Sequence, residues 1–276
     1  MPSPRTMLAR SALRPKKRLG QNFLLSESTA NRIAECALDG AAKELSVFEI
    51  GAGTGVLTRA LLDRGAKLTA LEIDPELVEI LHSRADLSGA QIVCGDALAF
   101  DYGAWAAGKP WRAAGNLPYN IATPLLLRLI EMYGGPDSIT VMVQKDVAER
   151  FAALPGTRAF GSLSLAVQYA MRVEPLFTVP PQAFYPAPKV YSSVVRLVRR
   201  SQPAVQVRDL ELFWKVVRGA FAYRRKTLLN SLALATELDR ATIARALSSC
   251  NFAPELRGER LDLGDFARLA DELAKG

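Results

Sequence analysis

The tetrapeptide Asn116-Leu117-Pro118-Tyr119 is the most specific chemical signal in the chain. The Asn side-chain oxygen, with the Leu117 or Pro118 carbonyl, can accept two hydrogen bonds from an exocyclic amine. Tyr119 can stack on the ring that carries such an amine. Proline stiffens the turn and brings no competing N–H. A second signal is Glu49-Ile-Gly51-Ala-Gly53-Thr-Gly55. Its glycines let the backbone turn tightly and approach a ligand closely. The spacing is G-x-G-x-G, not the G-x-G-x-x-G of dinucleotide folds. Glu72 is placed to accept both hydroxyls of a ribose, and Asp96 can reach an adenine amino group. Taken singly, each has a plainer reading: a tight turn, a helix-start acid, a polar loop. Together they describe a nucleoside site beside an amine-reading turn.

Such residues need elements to bring them together. Segment 45–50 is a short apolar run that reads as a strand before the glycine loop, and 56–64 follows with a helical pattern. Further strands are expected at 67–71, 91–94, 111–114 and 138–143. Asp74-Pro75 and Thr123-Pro124 read as helix starts, with a capping side chain and proline at the first position. The alternation predicts an α/β fold with a parallel, doubly wound sheet. Ligands bind such sheets at the carboxyl ends of the strands. Gly51, Glu72, Asp96 and Asn116 each follow one of four successive strands. Segment 161–170 reads as a helix, 179–188 as a proline-rich ordered loop, and 191–198 as a terminal strand. Residues 201–207 suggest a hinge. Only helical patterns follow Asp209, including one from about 209 to 229. The expected organisation is a catalytic domain over 1–203 and a helical domain over 204–276.

The 276 residues are 49% hydrophobic and 23% charged, enough apolar content for a sizeable core. No apolar run approaches the ~18 residues of a membrane span. The basic start has no apolar stretch behind it, so no secretory signal is expected. Cys36, Cys94 and Cys250 are widely separated, which suits a reducing compartment and offers no zinc spacing. No metal is expected. The one histidine, His82, lies outside every motif, which removes most histidine-based catalysis. The net charge of +7 is uneven. Residues 1–26 hold six basic residues and no acid, and 196–230 hold nine against Asp209 and Glu211. The rest of the chain is net acidic. Such polarisation suits a polyanionic partner, although a solvated basic face has the same composition.

The motifs resemble, across nearly the whole chain, those of the ribosomal RNA adenine N6,N6-dimethyltransferase family, and within it the bacterial small-subunit (16S) branch. Leu19-Gly-Gln-Asn-Phe-Leu24 resembles the family's N-terminal cofactor motif, with Leu19 and Asn22 where Phe and His are frequent. Glu49–Gly55 resembles its glycine loop, Glu72-Ile-Asp74 its ribose acid, Gly95-Asp96-Ala97 its adenine-reading turn, and Asn116–Tyr119 its catalytic tetrad. Segment 183–190 resembles a late loop that supplies a second aromatic, and 221–230 a signature of the helical domain.

The resemblance implies a class I methyltransferase (Rossmann-like) sheet with a small C-terminal helical domain. It implies S-adenosylmethionine held by Asn22, Leu24, Gly51, Gly53, Gly55, Glu72, Asp96, Ala97 and Asn116. Catalysis would fall to Asn116, Leu117, Pro118, Tyr119 and Phe184, with Tyr119 and Phe184 sandwiching an adenine drawn out of its RNA stack. Lys17, Arg18, Arg224, Arg225 and Lys226 would grip phosphates. The implied activity is dimethylation of two adjacent adenines in a 16S rRNA hairpin loop during ribosome biogenesis, by a cytoplasmic monomer with no membrane attachment. Four other readings stay in view: a large-subunit methyltransferase of the erythromycin-resistance type, a DNA adenine methyltransferase, a nicotinamide-dependent oxidoreductase, and an assembly factor that acts mainly by binding.

Overall fold

The computed structural model of the protein describes residues 15–40 and 45–275. The chain packs as two compact units, one of residues up to 148 with 172–199, the other of 149–171 with 200–276. The expected boundary after residue 203 is therefore corrected: 149–171 belongs with the helical unit. The reason is packing, because Ala153, Phe160 and Leu165 share a buried cluster with Phe213, Val216 and Leu232.

The first unit is built on a seven-stranded sheet. Its strands are β2 (Ser46–Ile50), β3 (Lys67–Glu72), β4 (Gln91–Cys94), β5 (Trp111–Asn116), β6 (Ser138–Gln144), β7 (Met171–Val179) and β9 (Ser192–Arg199). The spatial order is β4-β3-β2-β5-β6-β9-β7. The first five pair in parallel, and β9 runs antiparallel to β6, so the doubly wound sheet is mixed, not wholly parallel. Central strands are buried on both faces, which is why β2 and β6 read as continuous apolar runs. β7 was not legible in the sequence. It carries Pro175 and lies last in the strand order, where a missing ladder donor is tolerated. A separate two-stranded sheet pairs β1 (Phe23–Leu24) with β8 (Phe184–Tyr185). The proline-rich loop therefore has a strand inside it.

The helices of this unit are α1 (Glu27–Leu38), α2 (Val56–Leu62), α3 (Pro75–Ser83), α4 (Tyr102–Ala106) and α5 (Ala122–Glu131), with α6 (Lys145–Phe151) leading into the second unit. Asp74 caps α3 as expected, its Oδ1 accepting from the Glu76 amide at 3.2 Å with Pro75 first in the helix. α5 begins earlier than the expected Thr123-Pro124 start, because the Ile121 and Ala122 amides both donate to the Pro118 carbonyl.

The second unit contains α7 (Ser162–Ala170), α8 (Leu210–Ala222), α9 (Leu228–Ala235), α10 (Arg240–Ser249) and α11 (Leu263–Leu273). Side chains of Asp209, Thr227, Asp239 and Asp262 cap the last four. The helix expected to reach residue 229 stops at Ala222. Ser231 holds the break: its hydroxyl accepts from the Tyr223 amide at 3.2 Å and donates to the Gly219 carbonyl at 2.7 Å. Among the described residues, no helix is long and apolar enough to cross a membrane.

Candidate active site

Strand ends create the site. Glu72 and Asn116 are the last residues of β3 and β5, Gly51 follows β2, and Asp96 follows β4. They open into one cavity of about 240 Å³ within the first unit. Asn22, Leu24, Gly51, Gly53, Glu72, Asp96, Ala97, Asn116, Leu117, Pro118 and Tyr119 all line it. Gly55 and Phe184 do not. Tyr102 and Arg128 fix the Gly95-Asp96-Ala97 turn, donating to the Ala97 carbonyl at 2.9 and 3.0 Å.

The glycine loop spends most of its N–H groups internally. Gly51 and Ala52 donate to the Leu71 carbonyl, Gly53 to Glu72 Oε2 at 2.8 Å, and Gly55 to the Ala52 carbonyl. No open cradle of amides remains for a pyrophosphate, which argues against the nicotinamide reading. Gly53 needs its positive φ of 56° to aim that amide at Glu72. Gly55 is corrected from a ligand contact to a packing residue. A Cβ there would lie 2.7 Å from Leu87 Cδ1 and 2.8 Å from Leu81 Cδ2.

Two carboxylates dominate the electrostatics. Glu72 accepts from three backbone amides, those of Gly53, Ile73 and Asp74, at 2.8–3.0 Å. Burial raises its pKa, and those three amides pull against the shift. Its remaining lone pairs suit ribose hydroxyls. Glu49 was missed as a site residue, although an acid inside an apolar strand run was a visible signal. It is buried, lines the cavity, and neither carboxylate oxygen has a hydrogen-bond partner. Burial pushes its carboxyl up to about 8, against the lowering effect of Thr58 and with an added push from Glu72. Asp96 adds a third acid, and a cation beside Glu49 would favour its ionised form, so the wall suits a cationic ligand better than an anionic one. S-adenosylmethionine, with a sulfonium and an ammonium, fits that wall; a pyrophosphate does not.

An N-terminal strap closes the cavity. Lys16 Nζ pairs with Asp74 Oδ1 at 2.7 Å, and Gln21 Nε2 donates to Asp74 Oδ2 at 3.2 Å. Asn116 Nδ2 then donates to the Asn22 carbonyl at 2.9 Å. That bond fixes the amide, leaving Oδ1 as the free acceptor. Pro118 is removed as a second acceptor, since its carbonyl already takes the Ile121 and Ala122 amides. The Leu117 carbonyl is the one left. Tyr119 is half-buried, and its hydroxyl bonds Ser192 Oγ at 2.8 Å, which anchors the ring. Phe184 is corrected. It is 2% exposed and packs in the core cluster with Leu24 and Ile33, so its ring is not on the cavity wall in this conformation.

The expected RNA-contacting residues separate. Arg18 is exposed and lines the cavity. The side chain of Lys17, like the basic residues before 15, lies outside the described residues. Arg224 turns back on its own unit, donating to the Phe160 carbonyl at 3.0 Å and pairing with Glu259 at 3.5 Å. Arg225 and Lys226 are exposed.

Known proteins resemble this chain over nearly its whole length. The profile of the family described as "Ribosomal RNA adenine dimethylase" matches residues 12–275. A relative named ribosomal RNA small subunit methyltransferase A, from Streptococcus gordonii, is 41% identical over 279 residues, covering 98% of this chain and 95% of its own. The protein of that name from Hahella chejuensis is also 41% identical, covering 93% of this chain and 92% of its own. Among solved structures, a dimethyladenosine transferase from Plasmodium falciparum aligns with TM-score 0.74 and 25% identity, over 92% of this chain and 98% of that one. The 23S rRNA methyltransferase ErmE aligns with TM-score 0.70 and 26% identity, over 92% of this chain and 100% of that one. The amine-reading turn, the acid-lined crevice and these near-full-length matches lead to one conclusion: the chain belongs to the ribosomal RNA adenine dimethylase family.

Proposed function

We propose that the protein transfers methyl groups from S-adenosylmethionine to the N6 amine of adenines in small-subunit (16S) ribosomal RNA. The observation that carries this is the Asn116 amide: its nitrogen is engaged by the Asn22 carbonyl, and its oxygen is left for an exocyclic amine. S-adenosylmethionine, when bound, supplies a methyl group already activated by its sulfonium. Glu72 would take the ribose hydroxyls, Asp96 and Ala97 the adenine, Glu49 the ammonium, and Gly51 and Gly53 the methionine side, with Asn22 and Leu24 closing from the strap.

Adenine N6 is a poor nucleophile, because its lone pair is delocalised into the ring. Asn116 Oδ1 and the Leu117 carbonyl accept its two N–H groups and favour a pyramidal nitrogen. Tyr119, held through Ser192, supports the ring by stacking. Pro118 keeps the turn rigid. Positive charge develops on N6 during transfer, and the two oxygens stabilise it. The proton then leaves to water, so no histidine is required. After one methylation a single N–H remains, and either oxygen suffices to hold it for a second. Phe184 joins Tyr119 as the second stacking ring only with a rearrangement of the segment that buries it. The protein acts as a monomer in the cytoplasm, on two adjacent adenines of the small subunit.

The test is methylation of purified small and large ribosomal subunits in separate reactions, followed by nucleoside mass spectrometry. N6,N6-dimethyladenosine in 16S rRNA is the expected product. Product confined to 23S rRNA would overturn the small-subunit assignment in favour of the large-subunit reading. An Asn116→Ala protein that still supported subunit assembly would favour the assembly-factor reading.

A further inference from the structure

Three exposed large apolar side chains fall within one short segment of the first unit: Tyr185, Val190 and Tyr191. Two of them are aromatic, with Tyr185 at 45% exposure and Tyr191 at 53%. The segment Tyr185-Pro-Ala-Pro-Lys-Val-Tyr191 contains no acid, and it carries an exposed cation at Lys189. The two prolines restrict its backbone and remove two N–H donors. Neither tyrosine ring is used by the chemistry described above.

Both ends of the segment are tied to walls of the cavity. At one end, the β1–β8 register sets Tyr185 opposite Phe23 and Phe184 opposite Leu24. Residues directly opposite in an antiparallel pair project from the same face. Phe184 and Leu24 turn into the core. Tyr185 therefore shares its face with Phe23, whose ring packs against the glycine loop: a Cβ at Gly53 would lie 3.4 Å from Phe23 Cδ1. At the other end, Tyr191 accepts the Lys145 amide at 3.0 Å and directly precedes Ser192, whose hydroxyl holds Tyr119. The exposed rings thus stand at the two ends of a segment that is joined to Phe23 on one side and, through Ser192, to Tyr119 on the other.

Aromatic rings interleaved with a cation, on a rigid backbone beside a base-binding turn, form a stacking platform for unpaired nucleotides. We propose that Tyr185 and Tyr191 stack the bases that flank the target adenine, holding the unpaired RNA strand at the rim of the cavity. The inference rests on the methyltransferase reading and extends it from the reacting base to its neighbours. It also assigns a role to the exposed partner of the Phe184-Tyr185 pair, the ring that the strand alternation turns outward.

The experiment uses the full chain and a small-subunit RNA hairpin with 2-aminopurine placed immediately before or after the target adenine. Stacking on tyrosine quenches this probe, so binding of the unaltered protein is expected to lower its fluorescence. Tyr185→Ala and Tyr191→Ala should each abolish the quench at one flanking position. They should also raise KM for RNA by roughly five- to a hundredfold, the range expected for one lost base stack. Affinity for S-adenosylmethionine should not change. Tyr185→Phe and Tyr191→Phe should restore both quench and KM, because the ring and not the hydroxyl is required. Tyr185→Leu and Tyr191→Leu keep apolar bulk where alanine disturbs folding, and they should behave as the alanine variants do. Unaltered protein that methylates the RNA, with alanine and leucine variants whose quench and KM stay within twofold of it, overturns the platform alone. Unaltered protein that neither quenches the probe nor methylates the RNA overturns the platform and the reading beneath it.

Discussion

The crevice at the strand ends and the elbow between α8 and α9 arrange their candidate functional residues in opposite ways. In the crevice, residues far apart in sequence converge: Gly51, Glu72, Asp96 and Asn116 line one cavity. In the elbow, residues adjacent in sequence are all exposed yet differ in what they bond: Arg224 reaches back to the Phe160 carbonyl and Glu259, while Arg225 and Lys226 follow it at the surface. A strand end fixes both the position and the direction of its side chain, because the neighbouring strands hold it. A cluster of cations fixes neither. A long basic side chain finds whichever carbonyl or carboxylate its own turn presents. Motif position at a strand end is therefore strong information about a site, and charge density in a helix break is weak information.

The strongest way to break this comparison is at Asn116. Asn116→Ala should lower the single-turnover methylation rate by about a hundredfold or more, because the lost acceptor strengthens as charge develops. Affinity for S-adenosylmethionine should stay near normal. A retained rate would make Asn116 a turn residue that happens to end a strand.

Glu72 comes next. Glu72→Ala removes the acceptor proposed for the ribose and also frees the amides of Gly53, Ile73 and Asp74. Calorimetry should find S-adenosylmethionine binding weaker by roughly 2–3 kcal/mol, with a lower melting temperature. Equal affinity would remove Glu72 from the site.

The elbow gives a smaller effect and sharpens the contrast from the other side. Reversing charge at Arg225 and Lys226 should weaken RNA binding and make the logarithmic salt slope shallower by up to about two. Arg224→Ala should leave that slope nearly unchanged and lower the melting temperature, as expected of a side chain bonded within its own unit. The opposite assignment of effects would put Arg224 back among the phosphate contacts.

The smallest effect is a pH dependence of stability in the ligand-free protein. Burial on folding pushes the Glu49 carboxyl from the ordinary 4.5 of a glutamate up to about 8. Folding therefore retains a proton that the unfolded chain releases. The stability this contributes is fully present below the unfolded value and is lost as pH rises through the folded one. The melting temperature should fall by a few degrees between those limits, and Glu49→Gln should flatten the decline. An unaltered slope in that variant would show that Glu49 does not titrate with folding.

The β-α alternation and the Asp74 cap were legible because they rest on local signals, apolar runs, a glycine loop and an Asp-Pro start, whereas Thr123-Pro124 misplaced the start of α5. β3 and β5 ran one or two residues longer than expected, which makes Glu72 and Asn116 strand-terminal residues. β7 was not legible, since Pro175 and an irregular burial pattern hide an edge strand. The Glu49 signal was present and went unused. The membership of 149–171 in the helical unit could not be read locally, because Phe160 and Leu165 are apolar in either domain and only their partners differ.

The sequence by itself determined which residues stand at the carboxyl ends of the strands, and so the class of ligand and the amine-reading turn. Local propensity and strand alternation set those positions before any long-range contact forms. Only the tertiary structure decided the orientation of groups whose local chemistry allows two answers. The Asn22 carbonyl chose which atom of the Asn116 amide is free. The α5 amides chose Leu117 over Pro118 as the second acceptor. Packing against Leu81 and Leu87 removed Gly55 from the ligand, and pairing with β1 turned Phe184 inward and Tyr185 outward. The Pro118 carbonyl is taken by amides only three and four residues on, but the other three choices depend on partners distant in sequence, and a hydrogen bond or a close contact has no direction until its partner is in place.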